Sequence, residues 1–388
     1  MPPKYLEANV VPKLLIWARE SVGMDIETVA RKLKESVKKL SEWESGVKKP
    51  TLIQAEKLAK IYRRPLAVFF LPTPPKEPPL PTDFRTLPLD QRKPFSVKTR
   101  LAMRRAHRLQ SLAIELAETL NRDVVSKIGK IDLSEDPEIV ATGVRKQLGI
   151  EIQIQFDWKN EKEAFEKWIK IVEEKCSILV FQMSLPLEET RGFSLTEAKI
   201  PAIVLNLKDS TNGRIFSLFH EYAHLLIHDG GICDMGDQNH LSGKAKVIEK
   251  FCNHFSGAFL VPKDSLLNHQ LIKLTKPPYQ WSDEILKELA KDFKVSQEVI
   301  LRRLVILNKT SVDFYKRKRE EWQGKEWQKG WGRKNPPKKC IVENGIPFVS
   351  LVLDANRQGK ITYSDISDYL AIRIRYLPKI EQLIGSKA

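Results

Sequence analysis

Cysteine is scarce in this 388-residue chain and carries no pattern: Cys176, Cys233, Cys252 and Cys340 are the four, and no Cys-x-x-Cys pair occurs. That excludes a zinc ribbon and gives no disulfide framework, so a reducing, cytoplasmic compartment is expected. No run of about 18 apolar residues is present, and no membrane-spanning helix is expected. The N-terminal MPPKYLEANVVPKLLIW lacks a sustained apolar core followed by a small-residue cleavage site, so no secretory signal is read. Acids are the minority charge, with 49 Asp and Glu against 65 Lys and Arg and a net charge of +16. That sign favours polyanionic partners, chiefly DNA, although plain solubility accounts for it too. What remains is 42% apolar and 29% charged, which argues against wholesale disorder, and the length suffices for two or three cores.

Residues 10–72 read as five short helices. Between 72 and 94 stand Pro72, Pro74, Pro75, Pro78, Pro79, Pro81, Pro88 and Pro94, a density that forbids helix and predicts an extended linker. A long helix is expected over 96–121 with Ser96 as N-cap, and another begins near Ser134, where acids and a proline crowd the first turn. IEIQIQF (150–156), CSILVFQM (176–183) and PAIVLNL (201–207) read as strands, with a helix over 160–175 between the first two. Helical periods return at 214–228 and 244–259. The stretch 316–339 holds ten Lys or Arg against three Glu, interleaved with Trp322, Trp327 and Trp331, and reads as low in order. Residues 345–386 look like two or three more helices.

The segment DIETVARKLKESVKKLSEWESGVKKPT (25–51) has helix-turn-helix form. Val29, Ala30 and Leu33 bury one face of a short helix, the turn lies near Lys34–Ser36, and Leu40 and Trp43 point inward from the next. Val37, Lys38, Ser41 and Glu42 then point outward, as a helix must present them to reach base edges. Gly46 ends that helix, and Lys48 and Lys49 follow where phosphates would lie. Glu42 is the odd member of this face: it reads a cytosine amino group or faces solvent. A small bundle used for protein contacts is the competing reading. WESGVKKPTLIQAEKLAKIYRRPLAVFF resembles the lambda-repressor/Cro (XRE) helix-turn-helix domain, over about residues 8–72.

The strongest chemistry is FSLFHEYAHLLIH (216–228). His220 and His224 stand at i and i+4, so their imidazoles can converge on one cation. Glu221 adjoins the first and can serve as general base. Phe216, Leu218, Leu225 and Ile227 make this a core helix, in which a polar insertion needs a reason. An imidazole-plus-carboxylate set suits zinc, which in catalytic sites takes three protein ligands. VIEKFCNHFSGAFLVP (247–262) offers Glu249 as the third, with Asn253 one turn on as a hydrogen-bonding support. His228 lies eight residues from His220, about 12 Å along the axis, and cannot share the ion. Asp229, Asp234, Asp237 and His240 read as solvated loop residues, and His254 should point away from the face bearing Glu249.

RGFSL (191–195), PAIVLN (201–206), Arg214 with Phe216, His220-Glu221-x-x-His224, and Glu249-x-x-Cys252-Asn253-x-Phe255 together resemble the ImmA/IrrE metallopeptidase family, over roughly residues 170–310. PTDFRTLP (81–88) is similar to a segment these proteins often carry after the helix-turn-helix domain. The resemblance implies a gluzincin-like α+β peptidase domain, one zinc per chain on His220, His224 and Glu249, and Glu221 as the base. Cys252 and Gly257 stand where the family often has alanine, departures expected to leave the ligands untouched. The resemblance further implies cleavage of a repressor-type regulator.

The expected architecture is therefore an all-α helix-turn-helix bundle (1–72), a Pro-rich linker (73–95), an α+β metallopeptidase domain (96–310), and a basic linker with C-terminal helices (311–388). The expected function is a DNA-binding regulatory zinc endopeptidase, cytoplasmic, with operator DNA and a protein substrate as partners and a second copy of the chain as a candidate for a homodimer. The other reading is a repressor or antitoxin whose peptidase fold is a sensor or dimerisation module. An acid beside the metal argues for the enzyme, because a structural site fills its fourth position with a protein ligand. The basic stretch 316–339 reads either as a solvated linker or as a clamp on the DNA backbone through Lys316, Arg317, Lys318 and Arg319.

Overall fold

The computed structural model describes residues 6–76, 95–196, 198–227, 243–275, 281–323 and 335–385, and the chain forms two compact units. The first contains α1 (Pro12–Ser21), α2 (Ile26–Leu33), α3 (Val37–Glu44), α4 (Leu52–Tyr62) and a 3-10 turn at Leu66–Phe70, the five expected helical pieces. Local signals set their ends. Asp25 accepts from the Thr28 amide at 2.6 Å to start α2, and Ser36 accepts from the Lys39 amide at 3.2 Å to start α3. Between them Lys34 takes φ 60°, turning the chain sharply after α2. Thr51 and Gln54 form a reciprocal capping box on α4. Leu15, Ala18, Val29, Ala30, Leu33, Leu40, Trp43, Leu58 and Phe69 close the core. Arg19 fixes α1 to α3 by a bidentate pair with Glu44, at 2.8 and 3.0 Å.

α5 (Val97–Thr119) begins as expected, the Thr99 amide donating to Ser96 Oγ at 3.4 Å. Its residues to 105 fall in the first unit and the remainder in the second. The prolines at 78–94 lie outside the described residues.

In the second unit α6 (Pro137–Gln147) starts three residues beyond Ser134, on the N-cap Asp136 with Pro137 at its first position. The strand expected at 150–156 is instead a helix, α7 (Ile152–Asp157). The alternation of Ile with polar residues is overridden by Gln155. Its buried amide donates to the carbonyls of Leu260 and Phe293, at 2.9 and 2.7 Å, and accepts from Arg145 at 2.9 Å. Two helix ends are satisfied by one side chain, and Ile154 is left exposed.

α8 (Glu161–Cys176) leads to a three-stranded sheet of β1 (Leu179–Met183), β2 (Gly192–Leu195) and β3 (Ala202–Asn206). The order is β1-β3-β2, with β1 parallel to β3 and β2 antiparallel to it. β1 and β3 are buried throughout, as their unbroken apolar runs require. β2 was present in the sequence only as a motif.

α9 (Thr211–Leu226), capped by Ser210, lies on β2 and β3 and packs beside α10 (Gly243–Leu260). Phe219 stacks on Phe259 at 4.1 Å, and Trp168 of α8 meets Phe219 edge-on at 4.9 Å. α6 covers the other side of α10, where Arg303, fully buried, makes a bidentate pair with Glu138.

After α11 (Lys263–Leu267) and α12 (Gln270–Leu274), α13 (Asp283–Phe293) and α14 (Gln297–Ile306) repeat the turn of α2–α3: a left-handed lysine, Lys294, then a serine N-cap, Ser296. Here the second helix is buried through Val299, Ile300, Leu301 and Leu304. The expectation of low order from residue 316 is corrected over 316–323. Those residues belong to α15 (Val312–Gln323), which packs on α14 and is held by Lys318, at 3.0 Å from both Asp283 and Glu321. Residues 324–334, with Trp327 and Trp331, lie outside the described residues. α16 (Pro336–Asn344), α17 (Ile346–Arg357), α18 (Tyr363–Tyr369) and α19 (Leu377–Gly385) complete the chain, α16 lying against β1. None of the described helices is long and apolar enough to cross a membrane.

Candidate metal centre and nucleic-acid interface

α9 is a core helix: ten of its sixteen residues are buried, His220 and Glu221 among them. Its polar residues therefore need partners inside the protein. His220 and His224 turn their imidazoles to one point, with their Nε2 atoms 3.2 Å apart. Glu249 arrives from α10, and its Oε1 lies 3.2 Å from Nε2 of His224 and 3.5 Å from Nε2 of His220. The same two helices are joined by the stacked Phe219 and Phe259.

These three separations test the fit to a cation. With zinc–ligand bonds of 2.0–2.1 Å, donors at two corners of a tetrahedron stand about 3.3 Å apart. All three observed edges fall close to that value. Two imidazole nitrogens and one carboxylate oxygen are also a donor set that zinc accepts. Glu221, 4% exposed, adjoins the cluster from the same helix.

The charges agree with a cation-seeking site. Burial pushes the Glu249 carboxyl up, but hydrogen bonds from His220 and His224 outweigh it and bring the pKa down to about 2. Burial by itself lowers His224, and the neighbouring Cys252, Glu249 and Glu221 more than reverse that, holding it well above the ordinary histidine value. The carboxylates thus draw positive charge to the imidazoles, and a divalent cation would take the place of the proton there.

Two neighbours went unread in the sequence. The Cys252 thiol interacts with the His224 imidazole, so this position, expected to leave the cluster untouched, does meet one of its histidines. Its signal was available, because Glu249 and Cys252 at i, i+3 share a helix face. Gly192 of β2 is the other: a β-carbon there would lie 3.5 Å from Cγ of Glu221. Asn253, expected as a support, is half-buried on α10 next to Cys252. His254 points away from the cluster, as expected, with Nε2 2.8 Å from Glu138 on α6. Gly257, the other departure, makes room for the buried Arg303, whose Cδ would be 3.1 Å from a β-carbon. His228, Asp229, Asp234, Asp237 and His240 lie outside the described residues.

On the first unit, α3 leaves Val37, Lys38 and Ser41 exposed, and Lys48 and Lys49 follow it on the surface. Glu42 is half-buried and paired with Lys48 at 2.8 Å, a contact that lowers its pKa.

Comparison with known families gives two matches. Residues 15–69 match the helix-turn-helix family model. Residues 173–305 match the peptidase-family model described as IrrE N-terminal-like domain. The chain thus joins an XRE-type helix-turn-helix domain to an ImmA/IrrE-like domain, in that order. No curated protein and no solved structure matches it.

Proposed function

We propose that the chain is a DNA-binding regulator whose second domain is a zinc-dependent endopeptidase. The observation that carries the reading is the convergence of His220, His224 and Glu249 on one point, with the buried carboxyl of Glu221 alongside. Those three residues would hold one zinc per chain. Bound there, it would supply Lewis-acid polarisation of a peptide carbonyl and acidify a water. Glu221 takes the proton from the attacking water and returns it to the leaving amine nitrogen. Gly192 leaves room at that carboxylate. On α10 the Cys252 thiol fixes the His224 ring, and Asn253 beside it is the expected further support.

A protein substrate of repressor type, operator DNA read by residues 1–72, a cytoplasmic location and homodimerisation belong to the same proposal. So do the limits 73–95 for the linker, 96–310 for the peptidase domain and 311–388 for the C-terminal region. The helix-turn-helix match supports a role in transcription, because a peptidase joined to such a domain is brought to regulators bound on shared sites.

The test is Glu221→Gln. The amide keeps shape and hydrogen bonding but cannot accept the proton. The variant is expected to keep wild-type zinc content and thermal stability and to lose cleavage of a regulator encoded beside this gene. Equal cleavage by variant and wild type would remove Glu221 as base. No cleavage by either, with zinc bound, would favour a repressor or antitoxin whose peptidase fold only senses or dimerises.

A further inference from the structure

Three carboxylates surround the exposed helix α3, and each is tied to a partner within its own domain. Glu44 is held by Arg19. Glu35 accepts from Lys39 and Gln54, both at 2.9 Å. Glu42 is the one on the outward face, and Lys48 holds it twice: the ammonium lies 2.8 Å from its carboxylate, and the Lys48 amide donates to the Glu42 carbonyl at 3.1 Å. Gly46, at φ 79°, provides the reversal that brings Lys48 back over the helix. Among the described residues Lys38 and Lys49 make no ion pair, and Val37 is 40% exposed at the first position of α3.

We propose that Glu42 is a positioning residue that neutralises and places Lys48 and reads no base, and that reading falls to Lys38, Val37 and Ser41 on a duplex presenting a guanine beside a thymine. This rests on the reading of residues 1–72 as a DNA-binding domain. A bare carboxylate entering a groove lined by phosphates meets a negative potential, which favours keeping its cation. A cytosine amino group offers it a single hydrogen bond in exchange. Lys38, which makes no ion pair among the described residues, can donate to O6 and N7 of guanine, and the Val37 methyls suit the thymine methyl. Lys48, engaged with Glu42, is withdrawn from the phosphates that it was expected to contact.

The experiment selects duplexes from a randomised DNA pool with the full-length protein, then titrates the selected duplex at several salt concentrations. Wild type, Glu42→Gln and Glu42→Ala are expected to retain one and the same motif. Lys38→Ala is expected to lose a guanine from it, and Val37→Ala a thymine. Glu42→Ala should also steepen the log–log salt slope by about 0.9 per bound domain, because the released Lys48 reaches a phosphate. Adding Lys48→Ala should return the slope to the wild-type value. Glu42→Gln removes the charge at nearly constant volume and so guards against a folding loss. A base change caused by Glu42→Ala or Glu42→Gln, or an unaltered slope in both, would overturn the proposal. A wild-type protein that selects no motif at any salt would instead remove the DNA-binding reading beneath it.

Discussion

Gly192 lies against Glu221 with little room to spare: a β-carbon at 192 would stand at ordinary contact distance, 3.5 Å, from Cγ of Glu221, but only 2.9 Å from the carbonyl oxygen of Val204. The second contact is to backbone, which cannot swing away as a side chain would. Gly192→Ala is therefore expected to part β2 from β3 and to lower stability by about 1–3 kcal/mol, the usual cost of overpacking. The proposed zinc ligands lie on α9 and α10, so metal content should be unchanged. Denaturant unfolding and metal analysis of the same sample check both statements, and wild-type stability would mean that β2 yields freely.

Removing one corner of the metal cluster should be costlier than removing its support. Glu249→Ala takes away the proposed ligand atom, 3.2 Å from His224, and zinc affinity is expected to fall by more than about 100-fold. Cys252→Ala removes only the hydrogen bond to that imidazole, and a loss of about 10-fold is expected. Competition with a chelator of known affinity measures both. Unchanged affinity in Glu249→Ala would delete Glu249 from the ligand set.

Much of this centre was legible because helices turn spacing into direction. The i, i+4 histidines and the apolar frame around Glu249 placed the three donors on facing helix sides before any coordinates. The cap residues Asp25, Ser36 and Ser96 likewise announced helix starts. What escaped was whatever depended on a partner distant in sequence. Gln155 turns an alternating, strand-like run into α7 through carbonyls more than a hundred residues away. Gly192 is a motif glycine until β3 and α9 close on it. Glu42 looked available to a base until the loop after α3 folded Lys48 back onto it. The basic run at 316–319 looked disordered because its acidic partners, Asp283 and Glu298, lie on earlier helices.

Glu138 ties α6 to the helix that carries Glu249. Its burial alone would raise its pKa, but His254 and Arg303 outweigh that and bring it down to about 2 from 4.5. The folded state thus holds the proton less tightly than the unfolded chain does. The stabilisation is complete above about pH 4.5 and is lost as pH falls toward about 2. Glu138→Gln is expected to cost about 1–2 kcal/mol at pH 7, after allowance for partial exposure to solvent. Unfolding free energies of both proteins measured from pH 7 down to about pH 2 should converge at the acid end, though acid weakens the wild type for other reasons as well. A gap that stays constant with pH would show that the carboxylate charge is not what stabilises.

The helix α15 bears on the two readings of the basic stretch. Lys318 sits 3.0 Å from Asp283 and from Glu321, and Arg319 lies 3.6 Å from Glu298. Hydrogen bonding to Glu321 and Asp283 raises the Lys318 pKa, so its charge is committed inside the domain. A phosphate would have to displace these carboxylates, whereas a free lysine meets no such competitor. Changing both residues to alanine is accordingly expected to leave the log–log salt slope of DNA binding as it is in wild type. Stability should fall by less than about 1 kcal/mol for each pair, since the pairs are at the surface. The exposed Lys316 and Arg317 provide the contrast, because any part of α15 that does contact DNA must work through them. Titrations of the Lys318→Ala, Arg319→Ala protein and of a Lys316→Ala, Arg317→Ala protein over the same salt range separate the two pairs. A slope made shallower by about 0.9 or more in the first protein would show that Lys318 or Arg319 leaves its acidic partners for the DNA backbone, and would restore the four-residue clamp.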